Sequence, residues 1–175
     1  MNAKVVLIGE AGVGKTCIAN RFVSNSFSPE QPATVSGSFM KKLINKTTLL
    51  LWDTAGQEKF RSLAPLYYQN AFAIVVVFDL TDANSFEQLS FWMADIKKKQ
   101  TGSPLLYFVG NKCDLEDQRA VSHEMIKERL QEETYYEVSA MNGENVFELF
   151  QEISEKRSGV TQEEFMTMTQ KSGCC

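Results

Sequence analysis

The chain has 175 residues, of which 43% are hydrophobic and 23% are charged, as expected for one globular domain. Its net charge of −4 excludes the basic excess typical of nucleic-acid-binding proteins, so no nucleic acid is expected as a partner. The longest apolar stretch, residues 71–78, is far shorter than the roughly 20 residues that cross a bilayer, and no signal-peptide pattern precedes the first strand, so we expect a cytosolic protein.

Apolar runs bounded by turn residues predict six strands, and helical spacing of apolar residues predicts about five helices. The strands are expected near 3–9, 38–43, 47–52, 72–79, 104–110 and 134–138, and the helices near 15–24, 61–70, 85–99, 122–131 and 145–157. Ser85 and Ser122 are the predicted N-caps of the third and fourth helices.

Most of the predicted strands are continuous apolar runs, which are typical of parallel strands covered on both faces. The polar turn at residues 45–46 predicts an antiparallel hairpin between the second and third strands. We therefore expect an α/β fold: a single doubly wound domain with a six-stranded, mostly parallel sheet and one antiparallel edge strand. Ligands of such sheets bind at the carboxyl ends of the strands.

The first predicted strand leads into GEAGVGKT, residues 9–16, which matches the P-loop pattern G-x-x-x-x-G-K-[ST]. Its glycines allow close approach to a ligand, and the amides of about residues 12–16 can form an anion-binding nest at a helix N-terminus. Lys15 would neutralise the β- and γ-phosphates, and the Thr16 hydroxyl would bind Mg²⁺. The alternative is a glycine-rich turn that binds nothing. The motif indicates a nucleoside triphosphate site but identifies neither base nor reaction.

The base is indicated by NKCD, residues 111–114, directly after the fifth predicted strand. The Asp114 carboxylate can accept hydrogen bonds from N1–H and the 2-amino group of guanine, and adenine lacks both donors. Asn111 would brace the neighbouring loops, and the stem of Lys112 could lie over the ring. Residues 139–140 (SA) follow the last strand, where a backbone N–H could donate to the guanine 6-oxygen; an ordinary helix-entry turn is the alternative.

The chemistry is indicated by WDTAGQE, residues 52–58, which ends the third predicted strand. Asp53 can hold Mg²⁺ through a water, and the Gly56 amide can reach a γ-phosphate. Gln57 can orient the attacking water, as in GTP-hydrolysing switches. For Gln57 alone, a solvated loop residue is the alternative.

In the order and spacing of these motifs the chain resembles the Ras-like small GTPases and, within them, the Rab proteins. The segment WDTAGQEKFRSLAPLYY is Rab-like, and SLAPLYY and ATVSGSF are most similar to the endocytic Rabs. The resemblance covers essentially the whole chain. It implies a monomeric GTP/GDP switch in vesicle traffic that cycles between the cytosol and the cytoplasmic face of endomembranes. An exchange factor, a GTPase-activating protein, a GDP-dissociation inhibitor or escort protein, and effectors are the implied partners.

The resemblance also implies residue roles. Thr34 would bind Mg²⁺ and the γ-phosphate, and Phe27 would pack on the guanine, although a helix-flanking position is its alternative. Phe39, Trp52 and Tyr67 match the aromatic triad that meets effectors, with core packing as the alternative for the first two.

The catalytic set is then Gln57, Lys15, Thr34 and Gly56, and the Mg²⁺ set is Thr16, Thr34 and Asp53. The expected nucleotide contacts are Ala11, Gly12, Val13, Gly14, Lys15, Thr16, Cys17, Phe27, Thr34, Gly56, Asn111, Lys112, Asp114, Ser139, Ala140 and Met141.

Two positions depart from the family pattern. Ser36 stands where Rabs usually have glycine, with Gly37 following, and Met141 replaces a lysine that packs on the base. No arginine finger is evident, because Arg21 and Arg61 lie in predicted helices and are expected to be solvated. Hydrolysis should therefore be slow without an activating protein.

The G domain is expected to span residues 1–157 and to be followed by a flexible tail, 158–175, that ends in Cys174 and Cys175. In a Rab-like chain the two cysteines imply double geranylgeranylation, and a pair of free thiols is the alternative. One lipid chain binds a membrane reversibly, whereas two give a stable anchor.

Two other function classes are compatible with a P-loop. A kinase for a small substrate would need an arginine-bearing lid and an acceptor pocket, which are not visible in the sequence. A nucleotide-binding scaffold that does not hydrolyse would leave Gln57 and Thr34 unexplained, as well as Ala11, which is small enough to leave the γ-phosphate face open.

Overall fold

A six-stranded sheet with helices on both faces organises the computed structural model, which describes residues 1–30, 34, 37–54, 64–100 and 102–159. The strands are β1 (Asn2–Ile8), β2 (Ser38–Ile44), β3 (Thr47–Asp53), β4 (Ala73–Asp79), β5 (Leu105–Asn111) and β6 (Tyr135–Val138). The helices are α1 (Lys15–Ser24), α2 (Ala64–Tyr68), α3 (Ala83–Glu87), α4 (Leu89–Lys99), α5 (His123–Leu130) and α6 (Val146–Ser158), and a short 3-10 helix spans Glu116–Gln118.

The sheet has the predicted doubly wound topology. Its strand order is β2-β3-β1-β4-β5-β6, and every neighbouring pair is parallel except β2–β3. The β2–β3 hairpin turns at residues 45–46, where Asn45 takes a left-handed φ of 53° that asparagine tolerates in tight turns. The predicted antiparallel edge strand is therefore confirmed.

The two faces of the sheet bury separate apolar layers. Successive β1 residues such as Val5 and Val6 point to opposite faces, as the two-residue period of a strand requires. The first layer packs against α1 and α6, and the second against α2, α3, α4 and α5. Strand β4 is buried along its whole length because both of its faces are covered.

The predicted helix 85–99 is divided in two at Gln88 and begins earlier than expected. The prediction that Ser85 is its N-cap is wrong: Asp82 caps α3 by accepting a hydrogen bond from the Asn84 amide at 3.0 Å. Ser85 is instead buried, and its hydroxyl accepts from the Asp79 amide at 2.9 Å. The N-cap at Ser122 is confirmed, since its side chain accepts from the Met125 amide.

The strand register brings the carboxyl ends of several strands to one edge of the sheet. Asp79 pairs with Asn111, and Asn111 with Val138, so the segments that follow β5 and β6 leave the sheet at the same level. Leu7 pairs with Asp53 in the same way on β1 and β3. Of the helices in the described segments, none has the length and apolar character needed to cross a membrane.

Candidate functional site

A cavity of about 290 Å³ opens at this edge of the sheet. Its walls are Ala11, Gly12, Gly14, Lys15, Thr16, Cys17, Phe27, Ser28, Pro29, Thr34, Asn111, Lys112, Asp114, Leu115, Ala140 and Met141. The volume is at the lower end of the range of small-molecule sites. The structure therefore gathers most of the expected nucleotide contacts around one space.

Two described residues of the expected set, Val13 and Ser139, are not among the wall residues, and three wall residues were not expected. Val13 packs its side chain into the core, and Ser139 is fully buried behind the wall. Gly56, Gln57, Cys174 and Cys175 fall outside the described residues. Ser28, Pro29 and Leu115 line the cavity but were not predicted, and their signal in the sequence is only adjacency to Phe27 and Asp114.

The P-loop is shaped by a glycine at its junction with α1. Gly14 is the N-cap of α1 with a φ of 93°, so the first amides of the helix face the cavity. Lys15 is buried, and its ammonium donates to the carbonyls of Gly9 at 2.9 Å and Glu10 at 2.6 Å. Burial lowers the pKa of Lys15 to about 8, although the negative charges of Asp53 and Glu10 raise it in part. The loop can therefore offer backbone N–H donors and the Lys15 ammonium to a bound anion.

Helix α4 supports the P-loop from behind. The Trp92 indole N–H donates to a Glu10 carboxylate oxygen at 3.1 Å, and Trp92 belongs to the second apolar layer. The side chain of Glu10 is thereby held against α4 and the second apolar layer.

A cluster of oxygen atoms lies beside the P-loop at the end of β3. The Thr16 hydroxyl donates to Asp53 Oδ2 at 2.7 Å and lies 2.8 Å from the Thr34 hydroxyl. Because Thr16 has a single hydroxyl proton, Thr34 is the donor of the second bond. Ser38 donates weakly to the same carboxylate oxygen at 3.4 Å.

This cluster suits Mg²⁺. Asp53 Oδ1 is buried and has no hydrogen-bond partner in the described segments. Burial raises the pKa of Asp53, partly offset by the hydrogen bond from Thr16 and the charge of Lys15. Mg²⁺ prefers oxygen ligands and usually keeps waters and phosphate oxygens in its shell. In the described segments no three acidic, histidine or cysteine side chains form a metal-binding group, so hydroxyls and one carboxylate are the protein's donors here.

Asn111 joins the P-loop side of the cavity to the loop that follows β6. Its buried amide donates to the Val13 carbonyl at 2.9 Å, and its side-chain oxygen accepts from the Ala140 amide at 3.1 Å. Lys112 takes a left-handed φ of 67° and pairs with Asp79 at 2.5 Å. The sequence did not reveal the role of Asp79, because the partner of Lys112 is set by the register of β4 and β5.

The loop after β6 is closed by its own hydrogen bonds. The Ser139 amide donates to the Glu144 carbonyl at 3.1 Å, and the Ser139 hydroxyl accepts from the Asn142 amide at 3.1 Å. The amides of Ser139 and Ala140 are therefore both engaged within the protein.

Arg21 corrects one prediction. It was expected to be solvated, but its Nε donates to the Ala140 carbonyl at 2.9 Å and its Nη2 donates to the Met141 carbonyl. Its Nη1 donates to the carbonyl and the side-chain oxygen of Asn25. Helical spacing within α1 carries no signal for a partner 119 positions away.

The three predicted aromatic residues lie together at the surface. Ring centroids of Phe39 and Trp52 are 5.3 Å apart, and those of Trp52 and Tyr67 are 6.1 Å apart. Phe39 is 52% exposed, so it is not a core residue, whereas Trp52 is half-buried against the second layer. A Cβ at Gly37 would lie 2.8 Å from the Tyr67 hydroxyl, so the glycine makes room for this tyrosine.

Comparison with known proteins identifies the chain. A model of the Ras family matches residues 4–158. The human Ras-related protein Rab-30 is 41% identical over 157 residues, which are 86% of this chain and 77% of the relative. The mouse Ras-related protein Rab-22A is 40% identical over 159 residues, 87% of this chain and 82% of the relative. The yeast GTP-binding protein YPT53 (Saccharomyces cerevisiae) is 38% identical over 168 residues, 89% and 76% respectively. The chain belongs to the Ras family, in which it is a GTP-hydrolysing small GTPase of the Rab type.

Proposed function

We propose that this chain is a Mg²⁺-dependent GTP/GDP switch of vesicle traffic, anchored to membranes through its C-terminal cysteines. One observation carries the nucleotide part of the proposal: a single cavity places the P-loop amides, the Thr16–Thr34–Asp53 cluster and the NKCD motif side by side. The arrangement has a phosphate end and a base end.

At the phosphate end, the helix N-terminus and Lys15 would bind the β- and γ-phosphates. Thr16, Thr34 and, through a water, Asp53 would hold Mg²⁺, which neutralises the charge that develops on the phosphate oxygens. Gly9 and Glu10 carbonyls hold the Lys15 ammonium at the loop, so that only a short movement is needed to meet a phosphate.

At the base end, Asp114 would accept from N1–H and the 2-amino group of guanine, with Phe27 and the Lys112 stem against the ring. The ammonium of Lys112 is paired with Asp79, which fixes its aliphatic stem beside the cavity. Asn111 holds both ends at a fixed separation through Val13 and Ala140.

The hydrolytic step would use Gln57 to orient water, with the Gly56 amide on the γ-phosphate. The described segments place no arginine side chain in the cavity wall, so we expect slow hydrolysis without an activating protein. Replacement of GDP would likewise need an exchange factor. The neighbouring Phe39–Trp52–Tyr67 cluster is the proposed effector surface, because Ser38 and Asp53, which adjoin Phe39 and Trp52 in the chain, are hydrogen-bonded at the phosphate end.

The G domain and the tail would have separate tasks. We assign residues 1–157 to nucleotide binding and 158–175 to membrane attachment by geranylgeranyl groups on Cys174 and Cys175. A GDP-dissociation inhibitor or escort protein would carry these groups through the cytosol. The segments SLAPLYY and ATVSGSF, which resemble those of the endocytic Rabs, support an endosomal location on the endocytic route.

The nucleotide assignment is tested by Asp114→Asn in the full chain. The side-chain amide of the new asparagine can donate to the 2-oxygen of xanthine. The variant should therefore lose affinity for GDP and gain affinity for xanthosine diphosphate. Affinities are measured by displacement of a fluorescent nucleotide. Asp117→Asn, the same change at an exposed position nearby, is the control and should leave both affinities unchanged. Unaltered preference for GDP in Asp114→Asn would remove Asp114 from its assigned role.

A further inference from the structure

We infer that Trp92 is a positioning residue for phosphate binding, which holds the Glu10 carboxylate so that it does not compete with a phosphate for the Lys15 ammonium. The inference deepens the proposed function and depends on it. It gives a buried side chain of α4, which is not part of the cavity wall, a role in the affinity for a nucleoside diphosphate.

The first step is the position of Glu10 in the P-loop. Glu10 is the second residue of GEAGVGKT, and its carbonyl accepts from the Lys15 ammonium at 2.6 Å. Because the ammonium contacts the backbone of Glu10, a rotation of the Glu10 side chain could bring its carboxylate to the same cation. Such an ion pair would occupy the positive charge that a phosphate needs.

The second step is the contact that holds the carboxylate. The Trp92 indole N–H donates to Glu10 Oε1 at 3.1 Å. Trp92 is 3% exposed and packs in the second apolar layer, so the core fixes the position of its ring. A hydrogen bond to a charged acceptor is stronger than one between neutral groups. The indole therefore directs the carboxylate toward α4.

The third step is the anchoring of α4 itself. Leu89 and Ile96, one turn to either side of Trp92, are buried in the second layer. Asp95 of the same helix accepts from the Tyr68 hydroxyl at 3.3 Å, which joins α4 to the end of α2. The helix is thus held by contacts other than the P-loop, and the indole N–H is a fixed point for Glu10.

The fourth step is the kind of acceptor that holds Lys15. Its buried ammonium donates to two neutral carbonyls, those of Gly9 and Glu10. A cation leaves neutral acceptors more readily than it leaves a carboxylate, because breaking a buried ion pair is costly. While Trp92 binds the Glu10 carboxylate, the ammonium therefore remains available to a phosphate.

The test compares GDP with guanosine monophosphate (GMP) in the full chain. The two probes share the base, the ribose and the α-phosphate, and GDP alone has the β-phosphate that Lys15 would bind. Trp92→Phe removes the indole donor and keeps an aromatic ring in the core. We expect this variant to bind GDP about tenfold more weakly, the equivalent of one hydrogen bond, and to bind GMP as wild type does. Affinities are measured by displacement of a fluorescent nucleotide.

The double variant Trp92→Phe/Glu10→Gln separates positioning from packing. The glutamine has no charge with which to hold the ammonium, so the double variant should recover most of the GDP affinity that Trp92→Phe loses. A loss that came from the smaller core side chain would persist in the double variant.

Tyr107→Phe is the matched control. It removes another aromatic donor from a glutamate, since the Tyr107 hydroxyl donates to Glu152 at 3.2 Å, and neither residue lines the cavity. Its affinities for GDP and GMP should equal those of wild type.

The outcomes separate the inference from the proposed function. If wild type does not bind GDP, the proposed function fails. If wild type binds GDP, the inference alone is wrong in any of three cases: Trp92→Phe keeps the wild-type affinity, it weakens both probes equally, or Glu10→Gln does not rescue it. If Trp92→Phe does not fold, 3-benzothienylalanine at position 92 provides the same comparison, because it has the shape of tryptophan with a sulfur in place of the N–H. Wild-type GDP affinity in that protein overturns the inference.

Discussion

Among single residues, Gly14 shows how closely the P-loop packs on the NKCD motif. It has a φ of 93°, and a Cβ at this position would lie 2.3 Å from the Asn111 side-chain nitrogen. Gly14→Ala would therefore strain the backbone and displace Asn111 from Val13 and Ala140. We expect the variant to lose about 2–4 kcal/mol in the free energy of unfolding, from the left-handed backbone and the broken hydrogen bonds together. Urea unfolding of the chain with GDP and Mg²⁺ measures the loss.

Gly12→Ala is the control for Gly14→Ala. Gly12 also has a positive φ, 79°, but nothing lies within 4 Å of its Cβ position. Only the backbone term applies, so the expected loss is about 1 kcal/mol. Equal losses in the two variants would show that contact with Asn111 is unimportant.

Residues in short motifs were predictable because their chemistry is local. Most of the P-loop and NKCD residues appear in the cavity wall, because each motif begins at the end of a strand that the hydrophobic pattern locates. The contacts of Arg21 with Ala140, and of Gly37 with Tyr67, depend on how distant segments pack. No spacing within one segment contains that information.

Between elements, a tether joins β6 to the segment that follows the NKCD motif. Arg119 binds the Glu137 carboxylate with two nitrogens, at 2.5 and 2.9 Å, and Tyr135 donates to it at 2.8 Å. We expect Glu137→Gln to reduce the free energy of unfolding by about 1 kcal/mol at pH 7, a modest figure because about a fifth of each side chain is exposed to solvent. Thermal or urea unfolding measures the change.

The effect of Glu137→Gln should depend on pH. Burial would raise the pKa of Glu137, but hydrogen bonds from Arg119 and Tyr135 and the nearby His123 outweigh it, so the pKa lies below its ordinary 4.5. A carboxyl group with a depressed pKa stabilises the fold above pH 4.5 and loses this contribution as the pH falls further. The difference between wild type and variant should therefore shrink below pH 4.5. A constant difference, or the same profile in the exposed Glu133→Gln, would contradict this.

Strands and helices were predictable where the hydrophobic pattern alone determines them. Apolar runs bounded by turn residues located all six strands of the sheet, and the polar turn at residues 45–46 located its antiparallel pair. The start of the α3–α4 region was missed because two residues compete for the cap. Asp82 binds the free amide, whereas Ser85 is drawn into the core to satisfy the Asp79 backbone. Burial, which sequence spacing does not show, decides between them.

For the whole molecule, the same helix and sheet edge serve both ends of the cavity. Helix α1 begins at the P-loop and holds the loop after β6, and Asn111 joins the loops after β1 and β6. Thr34 and Asp53 meet at Thr16, so the presence of a γ-phosphate would be sensed at the start of that helix. The aromatic surface formed by Phe39, Trp52 and Tyr67 lies beside this point. A partner that binds this surface would therefore distinguish the two nucleotide states.

The final prediction concerns where this molecule acts. Residues 158–175 contain two acidic residues, Glu163 and Glu164, and one basic residue, Lys171. Attraction to anionic lipids would therefore not assist membrane binding. Two lipid chains would give a stable anchor and one a reversible anchor, so Cys174→Ser/Cys175→Ser should be fully cytosolic and Cys174→Ser alone only partly membrane-bound. Imaging of the tagged full chain against compartment markers, with wild type and Gln57→Leu as references, measures this. If both references mark one organelle and the double variant does not, the tail is the anchor. A diffuse signal from all of them would show that the tail does not attach the chain, and the switch would then act in solution.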